Sequence, residues 1–243
     1  MITQGTDTLE ETAYLLDLLY RAQAPVVLTG AMRNPAMAGA DGPANLLAAV
    51  RTAASPQARA RGVLVVFADA IHAARHVRKT HSTSITAFTS PDAGPLGHVI
   101  EGTPRFHAAF PRTSPLPLPF PRHAEVEIIE ATLGSSGALL DQLEQRVTGV
   151  VLAAFGAGHV PAHWVPRLEK IAAHIPVVLT TRTAAGGVLS TTYDFAGSEK
   201  DLLGRGLIHG GRLDPRKARL LLLAHLRVGS ERWVIADAFA AYR

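Results

Sequence analysis

The stretch Gln4-Gly5-Thr6-Asp7-Thr8 puts a hydroxyl and a carboxylate next to a glycine, directly after Met1-Ile2-Thr3, which reads as the end of a strand. Gly5 gives the backbone freedom to turn tightly and approach a ligand. Thr6 offers a nucleophilic or hydrogen-bonding oxygen, and Asp7 a carboxylate. Thr8 and Glu11 have the Thr-x-x-Glu spacing of a helix capping box. A helix starting there would aim the positive end of its dipole at this turn, which suits an anionic substrate group. A well-capped helix preceded by a plain turn accounts for the same residues, so the local pattern leaves both readings open.

Several histidines offer a different chemistry. Asp69, His72, His76 and His81 are close in sequence, and His72/His76 has the i,i+4 spacing of a helical metal pair. No H-E-x-x-H motif accompanies them. Two glycine-rich turns, Gly134-Ser135-Ser136-Gly137 and Gly156-Ala157-Gly158, could cradle a phosphate, but neither belongs to a full G-x-G-x-x-G pattern. The sequence has no cysteine, which excludes disulfides and thiolate chemistry. Its net charge of +4 comes from scattered rather than clustered residues with no interleaved aromatics, which argues against a nucleic-acid surface. No apolar run is long enough to cross a bilayer, and no signal peptide is visible. No membrane partner is therefore expected.

Hydrophobic patterning supplies the elements that position these groups. Leu9, Tyr14, Leu15, Leu18 and Leu19 form an apolar stripe of helical period. Short β-branched runs at 26–30 and 63–68 read as buried parallel strands, separated by a helix over 41–54 with Asp41 as cap and Pro43 in its first turn. The segment 111–123 carries five prolines and is read as a linker. Beyond it, strands are expected at 125–131, 149–155 and 176–181, with helices near 137–146, 164–173, 214–227 and 231–241. Such alternation implies βαβ units. The expected architecture is α/β with two parallel-sheet domains, one over 1–110 and a smaller one over 125–243, joined through 111–124.

Longer stretches add a resemblance. Residues 2–18 (ITQGTDTLEETAYLLDL), 25–50, 61–97, 149–161, 176–188 and 212–226 together resemble the bacterial-type L-asparaginase/glutaminase amidohydrolases, a family built around two threonine motifs. The resemblance covers essentially the whole chain. It implies a larger Rossmann-like domain followed by a smaller flavodoxin-like one. The activity implied is hydrolysis of the side-chain amide of L-asparagine, possibly also of L-glutamine, with no cofactor and no metal. It assigns Thr6, Asp7 and Lys79 to catalysis, and Gly5, Thr6, Asp7, Ala31, His159 and Glu199 to substrate binding. It also implies a homo-oligomer, a dimer of dimers, working in the cytoplasm. Taken alone, Lys79 beside Arg75 and Arg78 would read as a solvated basic loop residue. Nothing in the chain resembles the family's first threonine motif, so the sequence is expected to lack that segment, to expose strand edges and the helix at 8–22, and to be impaired in catalysis; the alternative is a folded, non-catalytic remnant of the family.

Overall fold

A computed structural model describes all residues, Met1–Arg243. The chain divides into two compact units, Met1–Pro115 and Leu116–Arg243. Each has its own sheet and core.

In the first unit the strands are β1 (Ile2–Thr3), β2 (Val26–Thr29), β3 (Val63–Phe67), β4 (Ala70–Ala73), β5 (Arg78–Lys79), β6 (Phe88–Thr89), β7 (Gly97–Ile100) and β8 (Thr103–Phe106). Helix α1 (Leu9–Leu19) follows β1, and α2 (Gly42–Ala54) follows β2. The main sheet runs β1-β2-β3-β4-β7-β8. Its first three strands are parallel, with Ile2 opposite Leu28 and Val26 opposite Val63. The remaining pairings are antiparallel, so the sheet is mixed rather than wholly parallel. The extra strands arise from two tight hairpins. Ala68 and Asp69 have φ of 46° and 59°, and Glu101 and Gly102 have 50° and 73°. Paired positive φ angles match the twist of a two-residue hairpin, but neither turn carries the Asn-Gly or Asp-Gly signature that would have announced it.

β3 explains why this sheet is covered on both sides. Val63, Val65 and Phe67 face α1 in one core cluster, while Leu64 and Val66 join α2 in another. All five are buried, and each such side chain contributes about 1.5–3 kcal/mol when removed from water. Phe88 of β6 stacks on Phe67 with ring centroids 4.2 Å apart, docking the small β5–β6 ribbon against the sheet.

Two expected helix caps work differently from the sequence reading. Thr8 makes no side-chain cap bond, and its hydroxyl accepts from Gln4 instead. Asp41 does not cap α2 through its side chain, because its carboxylate is turned toward the loop after β2. The edge strand β1 leaves Ile2 exposed, as expected, but the helix expected to be exposed is not. α1 buries Leu9, Ala13, Tyr14 and Leu18, whereas α2 leaves Leu46, Leu47 and Val50 in solvent.

The second unit has a four-stranded parallel sheet in the order β12-β11-β10-β9: β9 (Val126–Glu130), β10 (Gly149–Ala154), β11 (Val177–Thr181) and β12 (Ile208–His209). Its helices are α3 (Val165–His174), α4 (Glu199–Gly204), α5 (Pro215–Val228) and α6 (Arg232–Ala240). Val150, Leu152 and Ala154 of β10 pack with Leu168 and Ile171 of α3. The helix expected at 137–146 is absent. Two 3-10 turns, Ala138–Leu140 and Leu143–Gln145, stand there, broken by the left-handed backbone of Gln142 at φ 57°.

Candidate functional site

Thr6 sits in the loop leaving the carboxyl end of β1, at the edge of the parallel part of the sheet, where ligands of open α/β sheets bind. The loop is tied down by Gln4, whose N–H donates to the Thr29 carbonyl at 3.0 Å. The Gln4 side chain donates to Thr8 Oγ1 at 3.1 Å and to Thr12 Oγ1 at 2.9 Å. Gly30, at the end of β2, permits this closeness. A Cβ there would stand 2.5 Å from the Gln4 carbonyl oxygen and 3.5 Å from Thr6 Cγ2. Gly5, by contrast, has no left-handed φ and open space where a Cβ would lie. The glycine that sterically shapes the turn is therefore Gly30, not Gly5.

The neighbouring loop, which carries Ala31, is fixed by Asp41 and Asn45. Asp41 accepts the N–H groups of Met32 and Arg33, each at 2.9 Å. Burial works to raise the Asp41 pKa, but those N–H bonds, its own backbone N–H and the Asn45 amide outweigh it and hold the carboxyl below its ordinary value. Asn45 donates to the Gly30 carbonyl at 3.1 Å and accepts from Ala68 N–H at 3.0 Å, linking the ends of β2 and β3. Ala31 itself is exposed at this edge.

Lys79 enters from the ribbon. It stands on β5 opposite Phe88, and its N–H donates to Glu10 Oε2 at 2.7 Å. Its ammonium reaches Thr6 Oγ1 at 2.9 Å and Asp7 Oδ1 at 3.1 Å. The Lys79 side chain is only 16% exposed, whereas Asp7 is 98% exposed. Residues 73 positions apart thus converge within proton-transfer distance beside an open carboxylate. Such a group can shuttle a proton to or from a hydroxyl and attract a cationic group.

Sequence reasoning passed over Glu10, Gly30 and Asn45. Glu10 is 2% exposed on the inner side of α1, next to Leu9. An acid on a helix's apolar flank was its only visible sign.

In the second unit, His159 and Glu199 are brought together. His159 Nε2 lies 3.2 Å from Glu199 Oε2, and its ring packs edge-on against Tyr193 and Phe195, with centroids 4.8 and 5.0 Å away. Glu199 is fully buried, and its Oε1 accepts the N–H groups of Thr192 and Tyr193 at 2.9 Å. Burial pushes its pKa up, but the backbone N–H donors and His159 bring it below the ordinary value, so the carboxylate stays ionised. Both its oxygens serve to hold the 192–193 loop and the His159 ring. Gly158 makes room for this, since a Cβ there would lie 3.2 Å from the Glu199 Cβ.

The competing motifs lose their geometric premises. His72 is on strand β4 and bonds Ser90 Oγ at 2.8 Å, so the His72/His76 pair is not helical. His76 packs on Phe110, and His81 accepts the N–H groups of Thr83 and Ser84. Gly137 is followed only by the three-residue 3-10 turn, and Gly156-Ala157-Gly158 closes a bridge between Phe155 and His159. Neither leads into a helix that would present its N-terminus to phosphate.

Comparison with known proteins covers both units of the chain. Residues 1–112 match the family model "Asparaginase, N-terminal", and residues 125–239 match "Glutaminase/Asparaginase C-terminal domain". A probable L-asparaginase of Deinococcus radiodurans is 41% identical over 243 residues, covering 98% of this chain and 74% of that protein. A glutaminase-asparaginase of Acinetobacter glutaminasificans is 32% identical over 252 residues, covering 100% of this chain and 74% of that one. The crystal structure of a probable cytoplasmic L-asparaginase from Campylobacter jejuni superposes with a TM-score of 0.89 at 34% identity, covering 98% of this chain and 76% of that one.

Proposed function

The chain belongs to the L-asparaginase family, and we propose on that premise that its reaction is hydrolysis of the side-chain amide of L-asparagine to L-aspartate and ammonia. The observation that carries the assignment to residues is the Thr6–Lys79–Asp7 cluster, with Lys79 Nζ at 2.9 Å from the threonine hydroxyl. Amide hydrolysis needs an oxygen nucleophile, a group to take its proton, and donors for the developing oxyanion. The step needs Lys79 Nζ as a neutral amine, which takes a proton from a hydroxyl or water at Thr6 and gives it to the departing NH2 group, released as ammonia. Asp7, open to solvent, pairs with the α-ammonium of the amino acid. The backbone of Gly5-Thr6 and the Ala31 carbonyl hold its other polar groups.

The family's mechanism uses two threonine centres, and only the one built on Thr6 has a match among these 243 residues. Residues 1–243 are therefore expected to turn over slowly by themselves. The test is ammonia release from L-asparagine by residues 1–243, compared with a chimera that adds the first threonine motif of the Deinococcus relative. Activity in the chimera that Thr6→Ala abolishes supports the assignment. A chimera with Thr6→Ala that keeps full activity overturns it.

L-glutamine is the second substrate of this reading, in line with the name of the Acinetobacter relative. His159, steered by Glu199, completes the site of a neighbouring copy in a dimer of dimers, with 111–124 as linker. Light scattering of an active monomer would contradict that arrangement. The cytoplasm is the setting we assign, in line with the name of the Campylobacter protein, and cell fractionation tests it.

A further inference from the structure

A cavity of about 190 Å³ opens in the first unit at the opposite end of the sheet from Thr6. Its walls include Val63, the first residue of β3, and Ala73, the last of β4. Thr6 follows the carboxyl end of β1, which runs parallel to β2 and β3. The five residues of β3 span about 17 Å, so the two places are separate.

Four arginines line the cavity, Arg59, Arg61, Arg75 and Arg112, against one carboxylate, Asp17. Two of the guanidinium groups are aimed by backbone carbonyls. Arg61 donates to the Gln57 carbonyl at 2.7 Å and the Ala108 carbonyl at 2.9 Å, and lies over the Phe106 ring at 4.2 Å. Arg112 donates to the Tyr20 and Ala22 carbonyls at 2.5 and 3.3 Å. Neutral carbonyls orient a guanidinium without cancelling its charge. Asp17 Oδ1 also accepts the Val63 N–H at 2.9 Å. Burial raises the Asp17 pKa, and the Val63 N–H bond and the nearby charges of Arg75 and Arg112 act against that rise. The wall is therefore a preorganised cationic surface with an excess of positive charge, and guanidinium forks match the oxygens of tetrahedral anions.

We propose that this cavity is an anion site for a phosphoryl group, distinct from the Thr6–Lys79 centre and independent of amide hydrolysis. Free phosphate and a phosphate ester share the chemistry it recognises.

The test titrates residues 1–243 with inorganic phosphate and, separately, with glycerol 3-phosphate, at ionic strength held constant with chloride, reading heat and thermal midpoint. Saturable binding that raises the midpoint is expected, weakened about tenfold by Arg59→Ala, which loses one charge-assisted contact. Arg59 is exposed and its side chain holds no other element, so this variant keeps the fold. Arg105→Ala, on the exposed face of β8, should bind like the parent. Tighter binding of the ester would assign the site to an esterified phosphate, and tighter binding of the free ion to phosphate itself. Absence of saturation by either probe, or equal affinity of the Arg59→Ala and parent proteins for both, overturns the proposal.

Discussion

Glu10 Oε2 accepts the backbone N–H of Lys79 at 2.7 Å, although one residue is in the first turn of α1 and the other on a separate two-stranded ribbon. This contact fixes where the Lys79 side chain begins, and hence where its ammonium arrives. Glu10→Ala leaves a partly buried N–H without this acceptor and is expected to cost about 1–3 kcal/mol. Glu10→Gln, which keeps an acceptor, should cost less. Chemical denaturation of the two variants checks the order, and equal stability of Glu10→Ala and the parent would remove Glu10 from this role.

Lys79→Met should act on rate and not on fold. In the chimera described above, turnover on L-asparagine is expected to fall by about a hundredfold or more, the usual scale for a proton-transfer group. The thermal midpoint should stay near that of the parent, since Met keeps most of the apolar stem and the ammonium removed is bonded to Thr6 and to the solvent-exposed Asp7. Near-normal turnover would return Lys79 to an ordinary basic surface residue.

Gly30→Ala tests the steric argument at the turn. Its Cβ would stand 2.5 Å from a backbone oxygen, a contact that forces the Gln4–Thr6 loop to move. Destabilisation of about 1–3 kcal/mol is expected, together with loss of activity in the chimera. Gly5→Ala, whose Cβ meets open space, should be tolerated by the fold. Equal stability losses at the two glycines would contradict the assignment of the close approach to Gly30.

Two buried histidines set the pH response of the second unit. Burial lowers the pKa of His209, helped by the charge of Arg243, and burial alone lowers that of His225. Both start from an ordinary value of 6.5, which the unfolded chain retains. The unfolded state therefore binds more protons below that value. Their stability contribution is complete above pH 6.5 and declines as pH falls toward the lowered folded values. The slope per histidine is at most about 1.4 kcal/mol per pH unit. Thermal midpoints measured from pH 7.5 to 5 should fall, and His225→Gln should flatten the decline. An unchanged slope in that variant would discount His225.

The outer face of α2 predicts self-association. Leu46, Leu47 and Val50 are 42%, 51% and 46% exposed, which makes a contiguous apolar surface on one helix. Purified residues 1–243 are expected to associate with rising concentration. Leu47→Gln with Val50→Lys should reduce it, as light scattering would show. Identical scattering of parent and variant would place the cause elsewhere.

Much of this protein was legible in its residues alone. The apolar runs at 26–30, 63–68, 149–155 and 176–181 announce the strands found at 26–29, 63–67, 149–154 and 177–181, because a strand covered on both faces is apolar along most of its length. The order of motifs, with Thr6 and Asp7 preceding Lys79, pointed to the family that the comparisons then established. What the sequence did not display was everything that depends on distant segments meeting. The hairpins at Ala68-Asp69 and Glu101-Gly102 lack the usual turn residues, so only the pairing of their strands selects them. Glu10 looks like a helix-start acid until β5 arrives to use it. Gly30 looks like the end of a strand until the Gln4 carbonyl crosses above it. Arg59, Arg61, Arg75 and Arg112 look scattered because they come from segments on both sides of the β3–β4 hairpin, and only the fold gathers them around one cavity. Periodicity reports which face of an element is buried, whereas convergence of charges and close backbone approaches are settled by packing between elements far apart in the chain.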